Sequence, residues 1–283
     1  MQQKIIFITG CSTGIGYHAA LDLTARGHRV IASCRKEKDV QALVDAGVEA
    51  VCMDVNDEAS VAHAFASVLE KTAGQLDVLI NNAGFGQAGA LEDIPREVLR
   101  QQFETNVFGL MHLTQLAIPV MRKQGQGRII NISSVLGIIA MPFRGAYNAS
   151  KYAVEGLSDT LRLELKPSNI AVITVEPGPI NSKFRDNCID YSLKQINTSG
   201  SHFKTQYQTM LTDYRAHKAN SLFTKEPQAV INALIHAIEA KRPKAKYPVT
   251  LPAHLFSFLK RVLSVKRLDS LLLYFSRKEL GPR

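Results

Sequence analysis

The chain has 283 residues, 46% of them hydrophobic and 21% charged, with a net charge of +9. That length fits one large α/β domain, and the hydrophobic share provides ample material for a core. Four scattered cysteines (Cys11, Cys34, Cys52, Cys188) and eight unclustered histidines exclude a disulfide framework and a metal-ligand pattern, which suits a reducing compartment.

The chain opens on an apolar run, residues 4–9, that reads as a buried strand. Ile5 to Ile8 is too short for a signal segment or a membrane span. Thr9-Gly10-Cys11-Ser12-Thr13-Gly14-Ile15-Gly16 follows, then a helix over 14–26 with Gly27 as a stop signal. Strand, glycine turn and helix form the layout of a dinucleotide site. The glycines let the backbone approach a pyrophosphate, which rests on helix N-terminal N–H groups. The spacing is G-x3-G-x-G, not the G-x-G-x-x-G of longer dehydrogenases.

A second strand, 28–33, ends where an Asp or Glu would bind a ribose 2′-hydroxyl and select NAD. Those positions hold Cys34, Arg35 and Lys36, with no carboxylate before Glu37. Two cations suit a 2′-phosphate, so the expected cofactor is NADP(H). Strands follow at 48–52, 76–81, 127–133, 170–176 and 245–249. Helices are expected at 57–73, 95–123, 147–166 and 226–240. Alternating strands and helices imply a Rossmann-type doubly wound parallel sheet, an α/β fold with helices on both faces.

The segment from Ser134 to Lys151 carries the chemistry. Tyr147 and Lys151 lie four apart on a helix, hence on one face. A free phenol titrates near pH ~10 and is a poor base, but a nearby cation favours phenolate. The pair can then trade protons with a carbonyl or alcohol oxygen. Ser134, at the end of a strand-like run, can donate to the same oxygen.

With both ends of a site in hand, residues 4–182 resemble a short-chain dehydrogenase/reductase. The resemblance rests on an ordered set of motifs: the glycine turn; Asp54-Val55; Asn81-Asn82-Ala83-Gly84; Asn106; Ser134 with Tyr147 and Lys151; and Pro177-Gly178-Pro179-Ile180. It implies roles for each. Tyr147 is the acid/base, Lys151 lowers its pKa and grips the nicotinamide ribose, and Ser134 polarises the substrate oxygen. Asn106 binds a water that links Lys151 to solvent. Asp54 and Val55 hold the adenine, Asn82 and Ala83 line the floor beside its ribose, and Ile180 contacts the carboxamide. Ser182 stands where the family often has Thr, and its hydroxyl offers the same hydrogen bonding.

Residues 183–223 follow the Pro-Gly-Pro motif and should lie over the site. They contain Phe184, Tyr191, Phe203, Tyr207, Met210, Tyr214 and Phe223, which suit either an adaptable apolar pocket or an ordinary covering helix. Met141-Pro142-Phe143 adds apolar groups. The arrangement is similar to the family branch with 17β-hydroxysteroid and retinol dehydrogenases. The expected substrate is therefore a lipophilic carbonyl: a long-chain aldehyde, a retinoid or a steroid-like ketone. The competing reading is a cofactor-sensing binding protein with little turnover.

The charge is uneven. Residues 241–283 hold eleven Lys/Arg against two acids, so the rest of the chain is neutral. The expected division is a catalytic domain, 1–250, and a basic amphipathic extension, 251–283. From Leu255 to Val265 apolar residues share one helical arc; the phase breaks after Lys266-Arg267, so two short helices are expected. A lid or packing element, a peripheral membrane contact and a subunit interface all remain open for this extension. Homo-oligomers are usual among relatives. Nucleic acid is a poor fit, since no basic–aromatic interleaving occurs. The expected location is cytoplasmic, with the tail available to the inner membrane surface.

Overall fold

In this computed structural model, residues 2–182, 184–215 and 223–280 are described. Seven strands form one parallel sheet: β1 (Ile5–Ile8), β2 (Arg29–Cys34), β3 (Glu49–Cys52), β4 (Val78–Asn81), β5 (Gly127–Ile132), β6 (Ile170–Glu176) and β7 (Lys246–Pro248). Their order is β3-β2-β1-β4-β5-β6-β7, parallel throughout. The central strands β1, β4, β5 and β6 read as mostly apolar runs because both faces are covered. Along β1, Ile6 and Ile8 enter one core and Phe7 the other, the period of two that a pleated strand requires.

On the first face lie α1 (Gly14–Ala25), α2 (Glu37–Asp45) and α9 (Gln228–Glu239). On the second lie α3 (Glu58–Lys71), α5 (Leu110–Gln124) and α6 (Gly145–Glu164). The chain winds outward from β1 to β3, then returns to place β4 on the other side of β1. That reversal opens a crevice at the carboxyl ends of β1 and β4, where ligands bind in open α/β sheets.

Three elements differ from the sequence expectation. Helix α2 was not anticipated, although Val40, Leu43 and Val44 recur at helical spacing; Leu43 is buried and Val40 packs beside it. The expected helix over 95–123 is α4 (Arg96–Phe103), a π-helical turn (Glu104–Gly109) and α5. Helices α7 (Phe184–Leu193) and α8 (Lys204–Arg215) form the cover. The extension holds two helices, α10 (Leu251–Val262) and α11 (Val265–Leu280), but they part at Leu263-Ser264, not after Lys266-Arg267. The break is local: the Leu263 N–H still donates to the Leu259 carbonyl, but its backbone leaves the helix in an extended conformation. Among the described residues no helix is long and apolar enough to cross a membrane. All four cysteines are free; Cys11, Cys34 and Cys188 are buried and Cys52 is exposed.

Candidate active site

The crevice is held shut at its base by Thr9 and Asn82. The Thr9 hydroxyl oxygen accepts the backbone N–H groups of Asn82 (3.1 Å) and Ala83 (3.0 Å). In return the Asn82 amide donates to the carbonyls of Thr9 (2.9 Å) and Gly10 (3.0 Å). Asn82 is thus a clamp between the ends of β1 and β4, with both amide hydrogens committed to the scaffold rather than turned to a ligand.

The glycine turn folds onto this clamp. A Cβ at Gly10, where φ is +72°, would lie 2.6 Å from the Ala83 Cα; one at Gly16 would lie 2.4 Å from the Asn82 amide nitrogen. Gly14 differs: its φ is +64°, but its nearest neighbour is the Ser182 side chain, 3.5 Å away. Gly14 therefore faces the open crevice, and Ser182 stands across it. Helix α1 starts there, its Thr13 N-cap makes no side-chain cap, and no acid occupies its first turn. Its free N–H groups and positive dipole end suit a pyrophosphate. Ser12 and Thr13 are exposed beside it, while Ile15 packs into the core.

Arg35 and Lys36 are exposed just past β2, before α2 begins. Asp54 turns the chain after β3, its carboxylate accepting the Asn56 N–H at 3.0 Å; the cap of α3 is Asp57. The Val55 carbonyl abuts Gly109, where a Cβ would come within 2.2 Å, so this loop and the start of α5 meet backbone to backbone. Ile180 forms a bridge with Lys225 and packs against the core. This chain's residues fit a 2′-phosphorylated dinucleotide: an open helix N-terminus at one end of a crevice and two exposed cations at the next strand.

The other end of the crevice gathers Ser134, Tyr147, Lys151 and Asn106. Ser134 caps a short 3-10 turn (Val135–Gly137), accepting the Leu136 N–H at 3.1 Å and donating to the Pro177 carbonyl at 3.4 Å. Helix α6 sets Tyr147 in its first turn and Lys151 one turn on. The buried Lys151 ammonium donates to the carbonyl of Ile132, the last residue of β5, at 2.7 Å. It lies 5.7 Å from the Tyr147 ring centroid. Burial pulls its pKa down to about 8, against the pull of Glu155 in the other direction.

The phenol does not follow the sequence expectation. Surrounding protein pushes the Tyr147 pKa up, Cys188 adds to this, and a hydrogen bond with Ser134 opposes it. Lys151 is turned toward the β5 carbonyl, so desolvation outweighs the cation. Burial therefore favours the protonated phenol over the phenolate.

Asn106 sits in the π-helical turn, a departure from α-geometry that often marks a functional site. Its carbonyl oxygen accepts the Phe85 N–H (3.0 Å), and its amide donates to the Phe85 carbonyl (2.9 Å) and the Ser150 hydroxyl (3.0 Å). Gly84 lies between the two groups: a Cβ there would be 3.1 Å from the Asn106 oxygen and 3.9 Å from the Lys151 nitrogen. Gly86 passes as closely under the Tyr147 ring, a Cβ there being 3.3 Å from its edge. The run from Gly84 to Gly86 is therefore the floor on which these side chains meet.

Sequence reasoning missed several contributors. Thr9 and Phe85 were not singled out. Cys188, whose sulfur accepts the Gly86 N–H at 3.0 Å, comes from α7. A buried ladder also supports the site: Asn81 donates to Thr114 (2.9 Å) and Asn131 (2.9 Å), and Asn131 to Ser158 (2.8 Å). Its visible signal was asparagine inside the apolar strands β4 and β5.

The cover divides the aromatic residues. Phe184 lies 5.9 Å from Tyr147, and Tyr191 lies 5.3 Å from Phe85, between ring centroids. Tyr207 is fully buried, donating to Asp93 (2.8 Å) and accepting from the Ala90 N–H (2.9 Å). With Met210, Phe203 and Phe143 it forms a small core of its own. Phe223 is exposed. The Tyr214 side chain, Lys183 and residues 216–222 lie outside the described residues. Among the described residues no His/Cys/Asp/Glu group is arranged to hold a metal.

Comparison with known proteins places the chain among relatives. Residues 4–190 match the short chain dehydrogenase family. An uncharacterized oxidoreductase, YbbO, of Escherichia coli K12 is 40% identical over 272 residues, spanning 96% of this chain and 95% of that protein. Human 17-beta-hydroxysteroid dehydrogenase type 1 is 31% identical over 266 residues, spanning 88% and 78%. A short chain dehydrogenase of Burkholderia cenocepacia J2315, solved in complex with NADP, shares the fold with a TM-score of 0.75 at 24% identity, covering 96% of this chain and 98% of that one.

Proposed function

The chain belongs to the short chain dehydrogenase family of oxidoreductases, and from that we propose that it interconverts a lipophilic aldehyde or ketone and its alcohol, with NADP(H) as cofactor. The observation that carries this reading is the meeting of Ser134, Tyr147, Lys151 and Asn106 over Gly84–Gly86, beside an open helix N-terminus.

Gly10, Ser12, Thr13, Gly14, Ile15 and Gly16 would receive the pyrophosphate, and Arg35 with Lys36 the 2′-phosphate. Asp54 and Val55 would border the adenine, Ala83 and the Asn82 clamp the ribose floor, and Ile180 with Ser182 the carboxamide. The reduced nicotinamide supplies a hydride when bound. In reduction the Tyr147 phenol gives its proton to the carbonyl oxygen while Ser134 donates a hydrogen bond to that oxygen. The Lys151 ammonium stabilises the phenolate left behind and grips the ribose hydroxyls. Asn106 holds the Gly84–Phe85 floor, so that a water beside Lys151 has a fixed wall to return a proton along. Oxidation runs the same steps backward. Turnover, rather than cofactor sensing, is favoured because Tyr147, Lys151 and Ser134 are all in place.

The lipophilic substrate is supported by Phe184 beside Tyr147. The relative named for a hydroxysteroid points the same way. The four free thiols are compatible with a reducing compartment such as the cytoplasm. A panel of long-chain aldehydes, retinoids and steroid ketones, followed by loss of nicotinamide absorbance with NADPH and with NADH, tests the proposal. Turnover of at least one lipophilic carbonyl with NADPH supports it; binding of NADPH without turnover of any member contradicts it.

A further inference from the structure

We propose that the outward face of α10 docks the protein onto an anionic lipid surface. Leu251, Leu255, Phe258 and Val262 recur along this helix at spacings of four and three, which sets them in one stripe. All four are exposed, from 44% at Leu255 to 63% at Leu251, and Val265 continues the stripe onto α11.

The stripe is not the packing face. Ala253 is fully buried on the opposite side, and Phe256 meets Phe275 of α11 edge to face. Lys260 turns inward, its ammonium on the Ile138 carbonyl and 4.6 Å from the Tyr152 ring centroid. The fold thus buries Ala253 and part of the apolar arc at Phe256, and leaves most of that arc uncovered. An apolar stripe of this extent marks a contact surface.

Charge decides the occupant. Residues 241–283 carry eleven cations against two acids, while the rest of the chain is neutral. Arg261, Lys266 and Arg267 are exposed at the end of the stripe. A second copy of the chain would bring the same excess and be repelled. A bilayer with anionic headgroups offers hydrocarbon to the stripe and negative charge to its flank, the arrangement by which interfacial helices bind.

The location ties docking to the candidate active site. Helix α10 starts at Thr250, whose hydroxyl lies 2.1 Å from where a Gly178 Cβ would be. It packs with α11 on Val135, Ile138 and Ile139, just after Ser134. Docking through the outward face would set α10 between the membrane and the loop that follows Ser134, one helix away from where lipophilic compounds partition. The inference rests on exposure and charge alone, independent of the substrate reading.

Flotation of the full-length protein with vesicles tests it. One vesicle is phosphatidylglycerol mixed with phosphatidylcholine, the other phosphatidylcholine alone. The protein should float with the anionic vesicles and at least about tenfold less with the neutral ones, with added salt releasing it. Phe258→Glu should reduce flotation at least about tenfold, and each of Arg261→Ala, Lys266→Ala and Arg267→Ala about fivefold on anionic vesicles alone. NADPH binding should be unchanged in all four variants, which separates lost docking from lost folding. Absence of flotation on anionic vesicles overturns the proposal, as does a Phe258→Glu protein that floats like the parent. A dimer in light scattering that Phe258→Glu splits, with no vesicle binding, also overturns it and assigns the stripe to a second copy.

Discussion

At the scale of single residues, the site is a set of groups held away from their ordinary titration. Lys151 is charged below about pH 8 and neutral above, because burial disfavours its ammonium. If the ammonium stabilises phenolate, kcat/KM for carbonyl reduction should fall as pH rises through about 8. Lys151→Arg should retain whatever rate it has well past that limb, since guanidinium does not deprotonate there. A pH–rate profile of both proteins with saturating NADPH reads this directly. Arg35→Ala should cut the preference for NADPH over NADH by about tenfold, measured as a ratio of kcat/KM values. These residues could be read in the sequence because their chemistry demands a fixed local spacing: four residues along one helix, or a few positions past one strand. The raised phenol, the Asn82 clamp and the pairing of Asn106 with Phe85 could not. Each depends on segments that the fold, not the local sequence, brings together, such as Asn106 and Phe85 across 21 positions.

At the scale of elements, the alternation of strands and helices was legible, but not every helix was. All seven strands were anticipated close to where they fall, whereas α2 was missed although Val40, Leu43 and Val44 recur at helical spacing. The π-helical turn at Asn106 was hidden because its neighbours keep a helical period on both sides. Strand β6 ends on a further feature that no motif announced. Glu176 is buried, and desolvation together with Glu155 raises its pKa to about 7. The folded chain therefore holds this proton more tightly than the unfolded chain, whose glutamate titrates near pH ~4.3. Its contribution to stability is full below that value and is lost as pH rises through about 7. Glu176→Gln should stabilise the protein at pH 8 by about 1–3 kcal/mol and flatten the pH dependence of urea unfolding between about pH 5 and pH 7. An unchanged slope in that window would show the carboxyl to be ionised throughout.

At the scale of the molecule, we propose that residues 1–250 form the catalytic unit and 251–283 an appended helical pair that also braces it. Leu272 of α11 is buried with Val135 and Ile139, so the tail presses on the loop that follows Ser134. Leu272→Ala should cost about 2–4 kcal/mol in urea unfolding. Composition exposed the charge asymmetry of this region, but not that the fold would pack α10 through Ala253 and Phe256 and leave Leu255, Phe258 and Val262 of its apolar arc exposed. The central claim, however, concerns one proton. The most direct test is single-turnover oxidation of bound NADPH by a lipophilic carbonyl, in the parent and in Tyr147→Phe side by side. The account predicts unchanged NADPH affinity and a rate lower by about 10²–10⁴-fold in the variant. A Tyr147→Phe protein that turns over at the parental rate would contradict it, because some other group would then be supplying the proton.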